Sequence, residues 1–142
     1  MPSFQVTFDA NDPARLGEFW GAALGYVVQP PPPGFDSWPA FLAAQGVPED
    51  QWGSATALVD PDGDGPRIFI QRVPEPKAAK NRVHLDLGSG GGPTVPLDQQ
   101  RERIGETVAR LQALGATHIE DHEGLGVAWA VMLDPEGNEF CA

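Results

Sequence analysis

The chain ends in LDPEGNEFCA (133–142), and far upstream it reads LVDPDGDGPRIFI (58–70). Both stretches set Asp-Pro, an acid and Gly before a strand-like run. Asp-Pro fixes the entry to a turn, and Gly accepts the positive φ at its exit. The same turn and strand are thus written twice, and the segments before them repeat as well. VTFDA (6–10) matches VHLDL (83–87), and the helix end AALGYVV (22–28) matches QALGATHI (112–119). Three landmarks in one order indicate an internal duplication.

Working outward from the turns predicts the elements. SFQVTFDA (3–10) alternates, with Phe4, Val6 and Phe8 on one face and Gln5, Thr7 and Asp9 on the other. Asn11 or Asp12 caps a helix with Pro13 in its first turn. Leu16, Phe19, Trp20, Ala23 and Leu24 form its inward stripe, and Gly25 ends it. Strands follow at 26–29, 54–60 and 67–73, with a short helix around 38–45. The second half is a strand at 82–88, a glycine-rich loop, and a helix over 99–114 with Ile104, Val108, Leu111 and Leu114 inward. Strands at 116–121, 126–133 and 138–142 complete it. The expected fold class is α+β, as two tandem βαβββ modules whose curled mixed sheet encloses a cleft. Module 1 covers 3–73 and module 2 covers 82–142. Residues 74–81 link them within one domain of 1–142.

Composition narrows the function classes. The 142 residues are 41% apolar, enough for a globular core. Apolar runs such as AVML (130–133) fall far short of the ~20 residues that span a bilayer. The N-terminus lacks a basic stretch and a long apolar run, so no secretory signal is expected and the location expected is cytoplasmic. The single cysteine, Cys141, excludes an internal disulfide. A net charge of -11 argues against nucleic acid and membrane partners and suits a cationic small molecule.

The stretches DPARLGEFWGAALGY (12–26), PRIFIQRVPEPKAAKNRVHLDL (66–87) and VARLQALGATHIEDHEG (108–124), with the closing LDPEGNEFCA, resemble the vicinal oxygen chelate superfamily. That superfamily includes glyoxalase I, bleomycin-resistance proteins and extradiol dioxygenases, and the nearest likeness is to its glyoxalase-like domains. The resemblance implies the paired-module fold and a ligand cup between modules, and it makes a homodimer an expectation. In metal-using members, ligands lie on the first and last strands of each half and hold one divalent ion. The matching positions here are Gln5 and His84 on the first strands, and Cys141 and Phe69 (or Ile70) on the last. Gln5 and His84 are therefore the metal candidates, for zinc, nickel, manganese or iron, but the expected carboxylates are missing from the set. The resemblance thus implies a cup that works without a complete metal site.

Other residues are candidates for ligand contact. Trp38, Phe41 and Trp52, together with Phe35, lie in a segment of the first half that has no counterpart in the second. Such a segment suits a lid or pocket wall. Phe69 and Gln71 share a strand face. Trp129 lies on a strand that faces either core or cup, and Cys141 is a small wall residue. Three functions stay open. The first is capture of a cationic or aromatic small molecule without metal. The second is a metal-dependent lyase, isomerase or dioxygenase, and the third is a metal-independent enzyme with His84 as catalytic general base. The basic group Lys77, Lys80 and Arg82 is expected to pair with acidic neighbours.

Overall fold

The computed structural model describes residues 2–142, which divide into two compact units, one up to Pro76 and one from Lys77. Helices and strands alternate in the order β1 (Gln5–Ala10), α1 (Pro13–Leu24), β2 (Val27–Val28), α2 (Trp38–Ala44), a 3-10 helix (Glu49–Ser54), β3 (Ala55–Val59) and β4 (Arg67–Arg72) in the first unit. The second unit holds α3 (Leu97–Ala113), β5 (Thr117–Gly124), β6 (Val127–Leu133) and β7 (Glu139–Cys141). Among the described residues no helix is long and apolar enough to cross a membrane.

In the first unit the strands run in the order β1-β4-β3-β2, with β1 parallel to β4 and the other pairs antiparallel. Asp12, not Asn11, caps α1 by accepting from the Arg15 N–H at 3.2 Å. The Asn11 amide instead donates to the carbonyls of Val73 and Glu75, tying the end of β4 back to β1. Gly25 ends α1 at φ 73°, where a Cβ would be strained. The helix buries Leu16, Phe19 and Trp20 against one sheet face, and Phe8 of β1 stacks on Trp20 at 5.4 Å. Each such side chain contributes about 1.5–3 kcal/mol. Gly17 lets the helix sit this close: a Cβ there would lie 2.9 Å from Cγ2 of Thr56. Ile68 and Ile70 of β4 face α1 too and are buried. Strand alternation therefore turns Arg67, Phe69 and Gln71 to the opposite face, beside their register partners Gln5, Thr7 and Asp9.

In the second unit the order is β5-β6-β7, all antiparallel. Ala130, Met132 and Phe140 are buried, as are Ile104 and Leu111 of α3. Trp129, Val131 and Cys141 alternate onto the other face. A two-residue turn joins β5 to β6, with Leu125 at φ 54° and Gly126 at φ 77°, the left-handed pair that a tight hairpin demands.

The duplicated turns have one construction. In the first, the Asp60 carboxylate accepts backbone N–H groups from Asp62, Asp64 and Gly65, and Gly63 donates back to the Asp60 carbonyl at φ 79°. In the second, the Asp134 carboxylate accepts from Glu136 and Asn138, and Gly137 donates to the Asp134 carbonyl at φ 86°.

Several expected elements come out differently. The strand at 82–88 shrinks to one parallel bridge, Asp86 to Cys141, with Cys141 N–H donating to the Leu85 carbonyl and Leu87 N–H to the Cys141 carbonyl. Its partner β7 has only three residues, so the ladder has little to extend along. The pairing is still parallel, as for β1 and β4. Phe4 precedes β1 and is 73% exposed, and Leu114 ends α3 and is also exposed rather than inward. The 3-10 helix at Glu49–Ser54 carries no apolar periodicity that would have announced it.

Candidate functional site

The segment between β2 and β3 builds a pocket of about 280 Å³ in the first unit. Its walls are Trp38 and Leu42 of α2, Trp52 of the 3-10 helix, Ala57 of β3, and Arg67 and Phe69 of β4. Both indoles are anchored by backbone acceptors. Trp38 Nε1 donates to the Gln29 carbonyl at 2.7 Å, and Trp52 Nε1 donates to the Val47 carbonyl at 2.9 Å. Their polar ends are thereby satisfied, and the ring faces are free to form an apolar wall. Phe41 lies behind this wall, edge-on to Trp38 and Phe35, and does not line the pocket.

Arg67 supplies the charge. Its Nε donates to Oε1 of Gln29 at 2.6 Å and its Nη1 to Oε1 of Gln5 at 2.8 Å, and the guanidinium lies 5.4 Å from the Phe69 ring centre. Gln5 is thus the acceptor of a cation, not a free amide oxygen. Gln71 donates to the Asp9 carboxylate at 2.8 Å and is exposed, outside the pocket.

In the second unit His84, Asp86, Trp129 and Cys141 line a hollow of about 380 Å³ with the glycine-rich loop at 88–92 and Gln100. His84 Nε2 lies 3.2 Å from Asp86 Oδ1, an arrangement that orients an imidazole for proton transfer. Donor atoms of His84, Asp86 and Cys141 all fall within 4.8 Å of one another. Burial first, then the Asp86 carboxylate, raises the Cys141 thiol above its ordinary pKa, with Lys80 working against both. A protonated thiol at neutral pH is a poor nucleophile. Trp129 stacks on His122, whose ring pairs with Glu120, while His118 pairs with Asp121. Glu139, on the same face as Cys141, is directed to the 77–81 segment. Its carboxylate accepts from the Asn81 N–H and from Lys77, both at 3.0 Å, and is held down to about 2, chiefly by the Asn81 bond. The basic segment therefore pairs with acid at Lys77.

The sequence reading missed Arg67 and underused Asp86. The signal for Arg67 was present, since RIFIQR alternates and places it on the face of Phe69 and Gln71. What pairs with it was not visible, because Gln5 and Gln29 are remote in the chain.

The family described as "Glyoxalase-like domain" matches residues 5–142. The chain belongs to that family. A comparison with curated proteins by sequence finds no match. Solved structures share the α+β fold of this glyoxalase-like chain. A glyoxalase/bleomycin resistance protein/dioxygenase family enzyme from Burkholderia phytofirmans PsJN is 17% identical with a TM-score of 0.59, over 96% of this chain and 93% of that one. A mutant of the fosfomycin resistance protein FosX from Listeria monocytogenes, complexed with Mn(II) and 1S,2S-dihydroxypropylphosphonic acid, is 14% identical with a TM-score of 0.61, over 99% and 89%. Hypothetical protein SA1046 from S. aureus is 15% identical with a TM-score of 0.59, over 99% and 95%.

A metal in such a relative raises the question of which residues here could hold one. Gln5 fits poorly, because a guanidinium already donates to its oxygen and a second cation would be repelled. His84, Asp86 and Cys141 fit better: nitrogen, carboxylate and sulfur are a donor set that zinc accepts with one position left open, whereas magnesium prefers oxygen alone. Asp86 adds a carboxylate to this group, although not at the last-strand positions where the resemblance expected one. An ion held there would act as a Lewis acid toward a substrate oxygen.

Proposed function

We propose that this glyoxalase-like protein binds a small aromatic molecule in the pocket of its first unit. One observation carries the reading: Trp38, Trp52 and Phe69 surround about 280 Å³ of largely apolar space, with few polar groups to fix orientation. An apolar cavity of about 150 Å³ admits benzene, so this pocket has room for one ring and a short substituent. The indole N–H groups are already bonded, so stacking incurs no unsatisfied donor. The test is titration of the full chain with small aromatic probes, followed through the indole N–H resonances. Trp38 and Trp52 should shift in a saturable way, and Trp52→Ala should weaken binding at least ten-fold. Titrations that leave both indoles unmoved at millimolar probe would remove the proposal.

A second reading rests on the His84–Asp86–Cys141 convergence, and makes the protein a metal-dependent enzyme. Elemental analysis and zinc titration of untagged protein decide it. Stoichiometric metal that Asp86→Asn and Cys141→Ser both abolish supports it, and less than a tenth of an equivalent refutes it.

A further inference from the structure

The charge of the pocket is opposite to the charge of the chain. The chain carries -11, yet Arg67 is the ionised side chain lining the pocket, and no Asp or Glu lines it among the described residues. Nor does any described carboxylate pair with Arg67 within 4.0 Å; Asp64 shares only the outer hollow beside β1. Two neutral amides hold the guanidinium instead, Gln29 at Nε and Gln5 at Nη1. A guanidinium has five N–H groups, and the Nη2 amino group keeps no acceptor among the described residues. Amides fix the direction of the fork without cancelling its charge.

Gln29 couples this arrangement to the aromatic wall. Its side chain accepts from Arg67 and its carbonyl accepts from Trp38, so one residue sets both the cation and the indole. Its own N–H is bonded to the Ala57 carbonyl, which fixes Gln29 to β3. Arg67 is half-buried as a residue, and its Nε bond to Gln29 is partly shielded from water, where a charged hydrogen bond is stronger than in bulk solvent.

From this geometry we infer that the ligand is an aromatic carboxylate, its ring against Trp38 and Trp52 and its carboxylate on the guanidinium of Arg67. The inference rests on the pocket reading above and adds the charge and group that the pocket selects. The acidic surface does not oppose it at contact: exposed charges are screened beyond about 8 Å at physiological salt, while Arg67 acts at hydrogen-bond distance.

Benzoate, benzamide and benzamidine share a ring and differ in charge, so they separate the pocket from its charge preference. Each is titrated into the full chain, with the Trp38 and Trp52 indole N–H signals as reporters and Trp20 as an internal reference. Benzoate should bind at least ten-fold tighter than benzamide, and benzamidine weakest. Arg67→Gln should abolish the ten-fold preference for benzoate over benzamide, and Arg67→Lys should recover part of it. If benzamidine binds as tightly as benzoate, or Arg67→Gln leaves benzoate unaffected, the carboxylate inference is overturned while the pocket stands. If none of the three moves Trp38 or Trp52, the pocket reading falls, and this inference with it. Should Arg67→Gln fail to fold, the charge series on the unmodified chain and Arg67→Lys still decide.

Discussion

Replacing Gln100 by Leu should destabilise the second unit by about 2–4 kcal/mol. Gln100 is fully buried at 0% exposure on α3. Its Nε2 donates to the carbonyls of Val95 at 2.7 Å and Gly126 at 2.9 Å, and its Oε1 accepts from the Ala128 N–H at 2.9 Å. One side chain thus joins the helix, the loop before it and the β5–β6 hairpin. Leu has a similar volume, so the cavity contribution is small and the loss is polar. Each buried backbone group left without a partner costs about 1–3 kcal/mol. Gly126 is exposed and its carbonyl regains water, Val95 is half-buried, and Ala128 is buried and bears the full cost. A domain holds only about 5–15 kcal/mol in total, so the urea midpoint should fall by roughly 1–2 M at a slope of about 1–3 kcal/mol/M. Amide exchange at Ala128 should accelerate more than at Met132, which lies toward the other end of β6. A loss below about 1 kcal/mol, with Ala128 protection unchanged, would refute the idea that this amide holds the unit together.

Four further outcomes concern other parts of the chain. Glu139 is held down from 4.5 to about 2, chiefly by the Asn81 N–H and further by Lys77. Its contribution to stability is therefore complete above about 4.5 and lost as pH falls through about 2. Thermal melts across that window should show a decline that Glu139→Gln lacks; parallel declines would contradict the assignment. Gly137 sits at φ 86°, so Gly137→Ala should cost about 1–2 kcal/mol through backbone strain. Gly105, in mid-α3 with open space for 4 Å around the place a Cβ would take, should instead tolerate Ala or gain stability, as chemical denaturation would show. The Cys141 thiol, raised first by burial and then by Asp86, should react with iodoacetamide more slowly at about pH 8 than a free cysteine, and Asp86→Asn should quicken it. Equal rates in both proteins would exclude the carboxylate as a cause.

The repeat was legible in the chain because turn chemistry is local. Asp60 and Asp134 bond to N–H groups within five residues, so Asp-Pro-acid-Gly carries its own instructions wherever it occurs. The helices were legible for a related reason: Leu16, Phe19 and Trp20 recur at a spacing that only one local conformation turns into a face. The shortened second-half strand was not legible, because VHLDL reads as well as VTFDA and only the length of its neighbour β7 limits the pairing.

The candidate sites divide in the same way. Strand alternation already placed Gln5 on one face and Phe69 with Gln71 on one face, and the aromatic segment around Trp38 and Trp52 was visible as an insertion. The tertiary structure decided their company. Arg67 meets Gln29 and Gln5 across separations of 38 and 62 residues, and the bridge from Asp86 brings the local His84–Asp86 pair to the remote Cys141 thiol. Periodicity and turn type act over a few residues, so a sequence displays them directly. The partner of a charge is chosen by which strands lie side by side, and that is known only once the chain has folded.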